Sequence, residues 1–232
     1  MLSQYIGSVL FPQRCPLCGC SLESADRNIP NRHICPTCLH GLEHTEQFVL
    51  RDNITEDLFA AHNRFERAAA YLFYDKGDKV SRLIQLAKYG RHPELIYELT
   101  REAVLDSLQT DFFDDIDVII PIPLHPRRYR QRGYNQSDYI AQALSETLHI
   151  PTDVSHVQRI RNNPRQTLSK GKDREKNVEG IFAVNHPEEM YRQHILIVDD
   201  VITTGSTIRS CMEAMEPFRG ARFSVFAIAK AR

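Results

Sequence analysis

Apolar positions along this chain fall into two kinds of run, short continuous ones and longer ones at helical spacing, and the two alternate. Asp117 to Ile122 and His194 to Val198 are continuous and bounded by turn residues, as expected of strands buried on both faces. Arg67 to Tyr74 reads as a further strand, closed by the turn signal Asp75-Lys76-Gly77-Asp78, and Arg222 to Ala229 as another. Helical spacing appears in Val80, Leu83, Ile84 and Ala87 over residues 78–89, and in Leu95, Ile96, Leu99, Val104 and Leu108 over Glu94 to Leu108. It returns in Ile140, Ala143, Leu144 and Leu148 over Gln136 to Leu148, and a helix is predicted from about Ser206 to Met215. Strands separated by helices imply right-handed crossovers and a mostly parallel sheet flanked by helices, an α/β fold. Two stretches break the pattern. Residues 15–38 are too rich in Pro, Gly, Asn and Cys for a long regular element, and residues 161–179, polar and doubly charged, read as a mobile loop. Residues 1–11 can form a short amphipathic helix with Leu2, Ile6, Val9 and Leu10 on one side.

Composition narrows the class. With 232 residues, 42% hydrophobic and 25% charged, the chain is globular and can bury one sizeable core. No window approaches the ~20 uncharged apolar residues of a spanning helix. Met1 to Leu10 lacks the positive start of an export signal, so a cytoplasmic location is expected. A formal net charge of −1 argues against a general nucleic-acid coat protein, although local basic patches survive that average.

Five of the six cysteines crowd into residues 15–38. Cys15-Pro-Leu-Cys18 and Cys35-Pro-Thr-Cys38 form two C-x2-C pairs at a spacing that closes a tetrahedral Zn²⁺ shell, and an all-protein shell is structural. An iron–sulfur site or a redox dithiol is a weaker reading of the same residues. Cys20 is a fifth thiol nearby, taken as a bystander.

The stretch Ile195-Leu-Ile-Val198-Asp199-Asp200-Val-Ile-Thr203-Thr204-Gly205-Ser206-Thr207 carries the most chemistry. A buried strand brings two adjacent carboxylates to the C-terminal edge of a sheet, where open α/β folds bind ligands. A hydroxyl-rich turn and a helix start follow, which is a phosphate cradle of free N–H groups and helix dipole. Carboxylates just before it suit a diol or Mg²⁺. The plainer reading is that the acids end a strand and Ser206 or Thr207 caps a helix. Upstream, Arg127, Arg128, Arg130 and Arg132 place four guanidinium groups in six positions after a strand end, suited to pyrophosphate or, on the plainer reading, to solvent or nucleic acid.

The acidic strand end and Thr-Thr-Gly-x-Thr turn resemble the phosphoribosyl pyrophosphate (PRPP) signature of type I phosphoribosyltransferases. The resemblance implies that Asp199 and Asp200 contact the ribose, as the catalytic acids, while Thr203, Thr204, Gly205, Ser206 and Thr207 hold the 5′-phosphate. The sequence Pro-Leu-His-Pro-x-Arg-x-x-x-Arg-Gly-Tyr-Asn-Gln is similar to the matching segment of the ComF/GntX family, ComFC-like competence proteins that join a four-cysteine zinc module to a phosphoribosyltransferase domain. Leu86-Ala-Lys88-Tyr89 and Gln166-Thr-Leu168 … Arg174-x-x-Asn177 extend that likeness. It implies Leu124, His125, Arg128 and Arg132 at the pyrophosphate, and Lys170, Arg174 and Asn177 on a flexible loop closing over PRPP. Lys88 either reaches the pocket or lies on a solvated helix face.

The implied organisation is a helix and a zinc-ribbon-like module over residues 1–45, ligated by Cys15, Cys18, Cys35 and Cys38, and a phosphoribosyltransferase-like domain over 46–232. The hood would span about 46–95 and the core about 96–232. Two functions follow from the resemblance. One is Mg²⁺-dependent transfer of phosphoribosyl from PRPP to an acceptor, such as a nucleobase, with release of pyrophosphate, in competence and DNA uptake or in nucleotide salvage. The other is a non-catalytic PRPP sensor that binds single-stranded DNA or a partner of the competence machinery.

Overall fold

The computed structural model describes residues 13–22, 32–161 and 180–232. Its centre is a four-stranded, wholly parallel sheet in the order β1 (Phe65–Tyr74), β6 (Arg222–Ala231), β5 (His194–Ile202), β2 (Val118–Pro121). The expected parallel sheet is therefore present. β5 and β6, in the interior of the sheet, read in the sequence as runs with little polar content because both their faces are covered. Ile195 and Ile197 point into one buried cluster while Leu196 and Val198 point into the other. β2 is an edge strand, so Pro121 loses no ladder bond to an outer neighbour.

Helices α2 (Lys79–Tyr89), α3 (Glu94–Ser107) and α5 (Gln136–Leu148) form where the 3.6-residue stripes predicted them. The Asp78 side chain caps α2 by accepting from the Ser81 N–H at 2.6 Å. Leu108 departs from its predicted stripe: it lies beyond the end of α3 and is 62% exposed. The opposite face of the sheet carries α6 (Ser206–Ala214) and the antiparallel pair β3 (Val157–Arg159) and β4 (Phe182–Val184). That pair brackets the segment predicted as a loop, whose residues 162–179 lie outside the described ones, as do residues 1–11 of the predicted N-terminal helix.

The cysteine region is built from two tight knuckles. In the first, Cys15 accepts from the Gly19 N–H at 2.8 Å, and in the second Cys35 precedes the short helix α1 (Pro36–His40). Ile34, Cys35, Cys38 and Leu39 bury themselves in the same apolar cluster as Leu95, Ile96 and Leu99 of α3. Glu98 of α3 adds a tether by accepting from the His33 N–H at 2.6 Å. The described part of this region thus docks on the helical face of the sheet.

Two elements differ from expectation. The Arg-rich stretch, which no hydrophobic period marks as helical, is a helix, α4 (Pro126–Arg132). Pro126 sits at its first turn, the His125 ring accepts from the Arg127 N–H, and Gly133 ends it at φ 89°, a left-handed position that favours glycine. β5 also runs four residues past Val198, to Ile202, because pairing continues along β6 through Lys230. Asp199 and Asp200 therefore sit inside the last turns of pairing and not beyond the strand.

Candidate functional site

A cavity of about 670 Å³ opens beside the C-terminal end of β5. Its wall includes Asp199 and Asp200 of β5, Thr207 of α6, Leu124, Arg128 and Arg132 from the stretch after β2, and Lys88 of α2. Seven residues singled out in the sequence are thus gathered round one space from four separate segments. Alternation along the strand sends the two acids to opposite faces, so each is held differently.

Asp200 is buried and pairs with Lys88, Nζ to Oδ1 at 2.8 Å. Lys88 is set in place by its neighbour: the Ala87 carbonyl accepts from the Tyr134 hydroxyl and from Gln136 Nε2. Asn135 ties the same segment to β2, donating from Nδ2 to the Ile122 carbonyl at 3.0 Å. Tyr134, Asn135 and Gln136 therefore act as a clasp that carries Lys88 to Asp200. Asp199 Oδ1 accepts from the Ser137 hydroxyl at 3.1 Å and from the Asp200 N–H at 2.9 Å. Burial, with the neighbouring Asp200 charge adding to it, pushes the Asp199 carboxyl up to about 7, against the opposing pull of Lys88. Two adjacent carboxylates with one lysine between them leave negative charge to be matched, which is the donor chemistry a hard divalent cation such as Mg²⁺ accepts.

The turn 203–207 lies at the rim. Thr203 and Thr204 are exposed, the Thr204 hydroxyl donates to Ser206 Oγ at 3.1 Å, and only Thr207 of the five lines the cavity itself. Gly205 has φ 71°, and a Cβ there would meet the Phe59 ring at 3.0 Å. Backbone strain and steric contact both demand glycine. Arg209 fixes the bend from behind, donating from Nη1 to the Thr204 carbonyl at 2.9 Å and to the Leu58 carbonyl at 3.0 Å. Phe59 and Arg209 are supports that motif reading missed, since neither belongs to the acidic strand end or the Thr/Gly turn, and Arg209 is spent on backbone carbonyls.

Other predicted residues fall elsewhere. His125 caps α4 and does not line the cavity, while Arg132 lies over the Tyr89 ring at 5.2 Å and donates to Gln136 Oε1. A second hollow of about 410 Å³ shares Arg91, Gln131, Arg132 and Tyr134 with the first and extends it past Arg130. Lys170, Arg174 and Asn177 lie outside the described residues. Arg159, which lines the cavity from β3, was not singled out in the sequence: a lone arginine in a short strand gives no pattern.

The Sγ atoms of Cys15, Cys18, Cys35 and Cys38 lie within 4.8 Å of one another, a set compatible with structural zinc. The backbone N–H of Cys20, and then its thiol, pull the Cys18 thiol down to about 6. Cys20 itself is exposed and lies outside the four, though close enough to act on Cys18.

Residues 135–232 match the phosphoribosyl transferase domain family. The DNA utilization protein YhgH of Escherichia coli strain K12 is 36% identical over 137 residues, covering 58% of this chain and 60% of that protein. Competence protein F of Haemophilus influenzae is 37% identical over 131 residues, 56% of this chain and 57% of that one. Competence protein ComFC of Bacillus subtilis is 28% identical over 184 residues, 76% of this chain and 68% of that one. The chain is thus similar to competence and DNA-utilization proteins and, over residues 135–232, to the phosphoribosyl transferase domain family. The match spans about three fifths of the length of the Escherichia coli relatives. The chain has a type I phosphoribosyltransferase fold, with the parallel sheet and flanking helices described above. Adenine phosphoribosyltransferase from Leishmania tarentolae overlays 68% of the chain on 90% of its own, at 11% identity and a TM-score of 0.40. That overlap bears on no substrate. Among the described residues no helix is long and apolar enough to cross a membrane.

Proposed function

We propose that the cavity binds PRPP with Mg²⁺ and transfers its phosphoribosyl group to an acceptor, releasing pyrophosphate, in a protein that serves DNA uptake. The carrying observation is that one cavity is walled by Asp199 and Asp200, by Thr207 of the cradle and by Arg128 and Arg132. Asp199 and Asp200 accept from the ribose hydroxyls and stand by the carbon where positive charge grows. The turn Thr203 to Thr207 gives its hydroxyls and helix-start N–H groups to the 5′-phosphate. Arg128 and Arg132, with the backbone at Leu124 and the capping His125 setting their helix, hold the departing diphosphate. Lys88 balances Asp200 until the ligand arrives. When bound, Mg²⁺ supplies further charge neutralisation at the diphosphate. Lys170, Arg174 and Asn177 would close over the ligand, and the hood would come from residues 46–95.

In the same proposal Cys15, Cys18, Cys35 and Cys38 hold a structural Zn²⁺ that stiffens the N-terminal module, residues 1–45. The acceptor is a nucleobase or a nucleic-acid strand; the latter is favoured by the names of the competence and DNA-utilization relatives and by the exposed Tyr89 under Arg132 at the cavity mouth. A competence-machinery protein is a further partner, and the cytoplasm the expected compartment. The test is pyrophosphate release from PRPP and Mg²⁺ across free bases and single-stranded oligonucleotides. Turnover with one acceptor supports transfer. Saturable PRPP binding with no release supports a sensor that binds single-stranded DNA. No PRPP binding overturns both.

A further inference from the structure

We infer that Arg159 is an anion-contacting residue of this cavity, and that its guanidinium and that of Arg128 hold the diphosphate end of the ligand from two different elements. The inference deepens the PRPP reading and rests on it. Arg128 belongs to α4, after the edge strand, whereas Arg159 comes from β3, on the other face of the sheet, yet both line the same cavity.

Arg159 is an odd residue to keep for structural reasons alone. Its Nε is buried without a hydrogen-bond partner, and among the described residues no carboxylate lies within ion-pair distance of it. The Phe182 ring lies 5.5 Å from the guanidinium carbon. A ring face attracts the cation but takes up none of its directed N–H bonds. Burial first, and then the like charge of Arg128, weaken its hold on its proton, while Asp199 and Cys211 act the other way. Two guanidinium groups that repel one another in a half-buried wall, one with an unused donor, are complementary to a multiply charged oxyanion between them. The turn 203–207 already provides a cradle for the 5′-phosphate, so the anion left for the two arginines is the diphosphate.

Inorganic pyrophosphate and ribose 5-phosphate, each with Mg²⁺, separate the two ends of the ligand. The experiment titrates both into the full-length protein, into Arg159→Gln and into Arg159→Lys by calorimetry, with ligand-free melting curves for all three. Arg159→Gln is expected to lose about tenfold or more in pyrophosphate affinity, to keep ribose 5-phosphate binding within about twofold, and to melt no lower than the parent without ligand, since a repelling charge has been removed. Arg159→Lys, a point charge without the planar fork, should fall between the two. Pyrophosphate affinity within about twofold of the parent in Arg159→Gln would overturn the inference. A lowered ligand-free melting temperature with equal losses for both ligands in both variants would also overturn it, by making Arg159 a packing residue. If the parent protein binds neither ligand, the PRPP reading fails first and this inference falls with it.

Discussion

The cysteine knuckles and the cavity at the end of β5 are built on opposite principles. Around the knuckles, local bonds and apolar burial agree: backbone N–H groups aim at sulfur, and Ile34 and Leu39 complete the cluster under α3. At the cavity they conflict. The Asp199 carboxyl is raised to about 7, Asp200 depends on a single lysine, Arg159 carries an unused donor, and Gly205 occupies a left-handed bend against Phe59. Local rules broken together in one place mark a site where stability is given up for ligand.

Four perturbations break or sharpen that contrast, from the largest effect to the smallest. Cys38→Ser, or removal of zinc by a chelator, should melt the N-terminal module and lower the melting temperature of the whole chain by about 10 °C or more, since structural zinc contributes much of such a module's folding free energy and this one shares a cluster with α3. Zinc content by mass spectrometry, read alongside circular-dichroism melts, checks it; an unchanged melt in zinc-free protein would separate the module from the core. Lys88→Met leaves Asp200 buried without its partner and should cost about 2–3 kcal/mol at pH 8, most of it recovered in the double variant with Asp200→Asn. Additive losses in that cycle would mean the pair does not interact. Gly205→Ala should cost about 1–2 kcal/mol from strain at φ 71° and contact with Phe59, and should abolish phosphate binding at the turn.

Asp199→Asn sharpens the contrast with a small gain. The folded carboxyl is raised to about 7 from an ordinary value of 3.8, so the folded state binds more protons than the unfolded one between those values. Ligand-free stability therefore falls as pH rises through that window, and the substitution removes the loss. The variant should melt a few degrees above the parent at pH 8 and equally with it near pH 4. Because an ionised Asp199 is the better acceptor for the ribose hydroxyls, ligand affinity in the parent should weaken as pH drops below about 7. A pH-independent difference in melting temperature would contradict the assigned shift.

Much of this was legible from the order of residues. Hydrophobic period alone located β5, β6, α2, α3 and α5, because their burial follows the pattern on which the period depends. Ligand chemistry located the four cysteines, the acids and the Thr/Gly turn, since those residue types have few other uses at that spacing. What escaped was structure whose cause is remote in sequence. The helix at Pro126–Arg132 was hidden by its charge, although His-Pro at its start and Gly133 at its end are cap signals. The bonds of Tyr134 and Gln136 to Ala87 join segments more than forty residues apart, and Arg209 supports the turn through Leu58. Arg159 is functional only by where β3 places it. The side of α2 that Lys88 takes, left open by the sequence, is decided by its 2.8 Å pair with Asp200.

The central claim is that the strand-end acids and the glycine turn form one ligand site. Titrating PRPP with Mg²⁺ into the parent protein and into Asp200→Asn by calorimetry at pH 8 tests it most directly. One saturable site in the parent, weakened about tenfold or more in the variant while its fold is retained, is the predicted result. Equal affinities, or no binding in a fully folded parent, would contradict it.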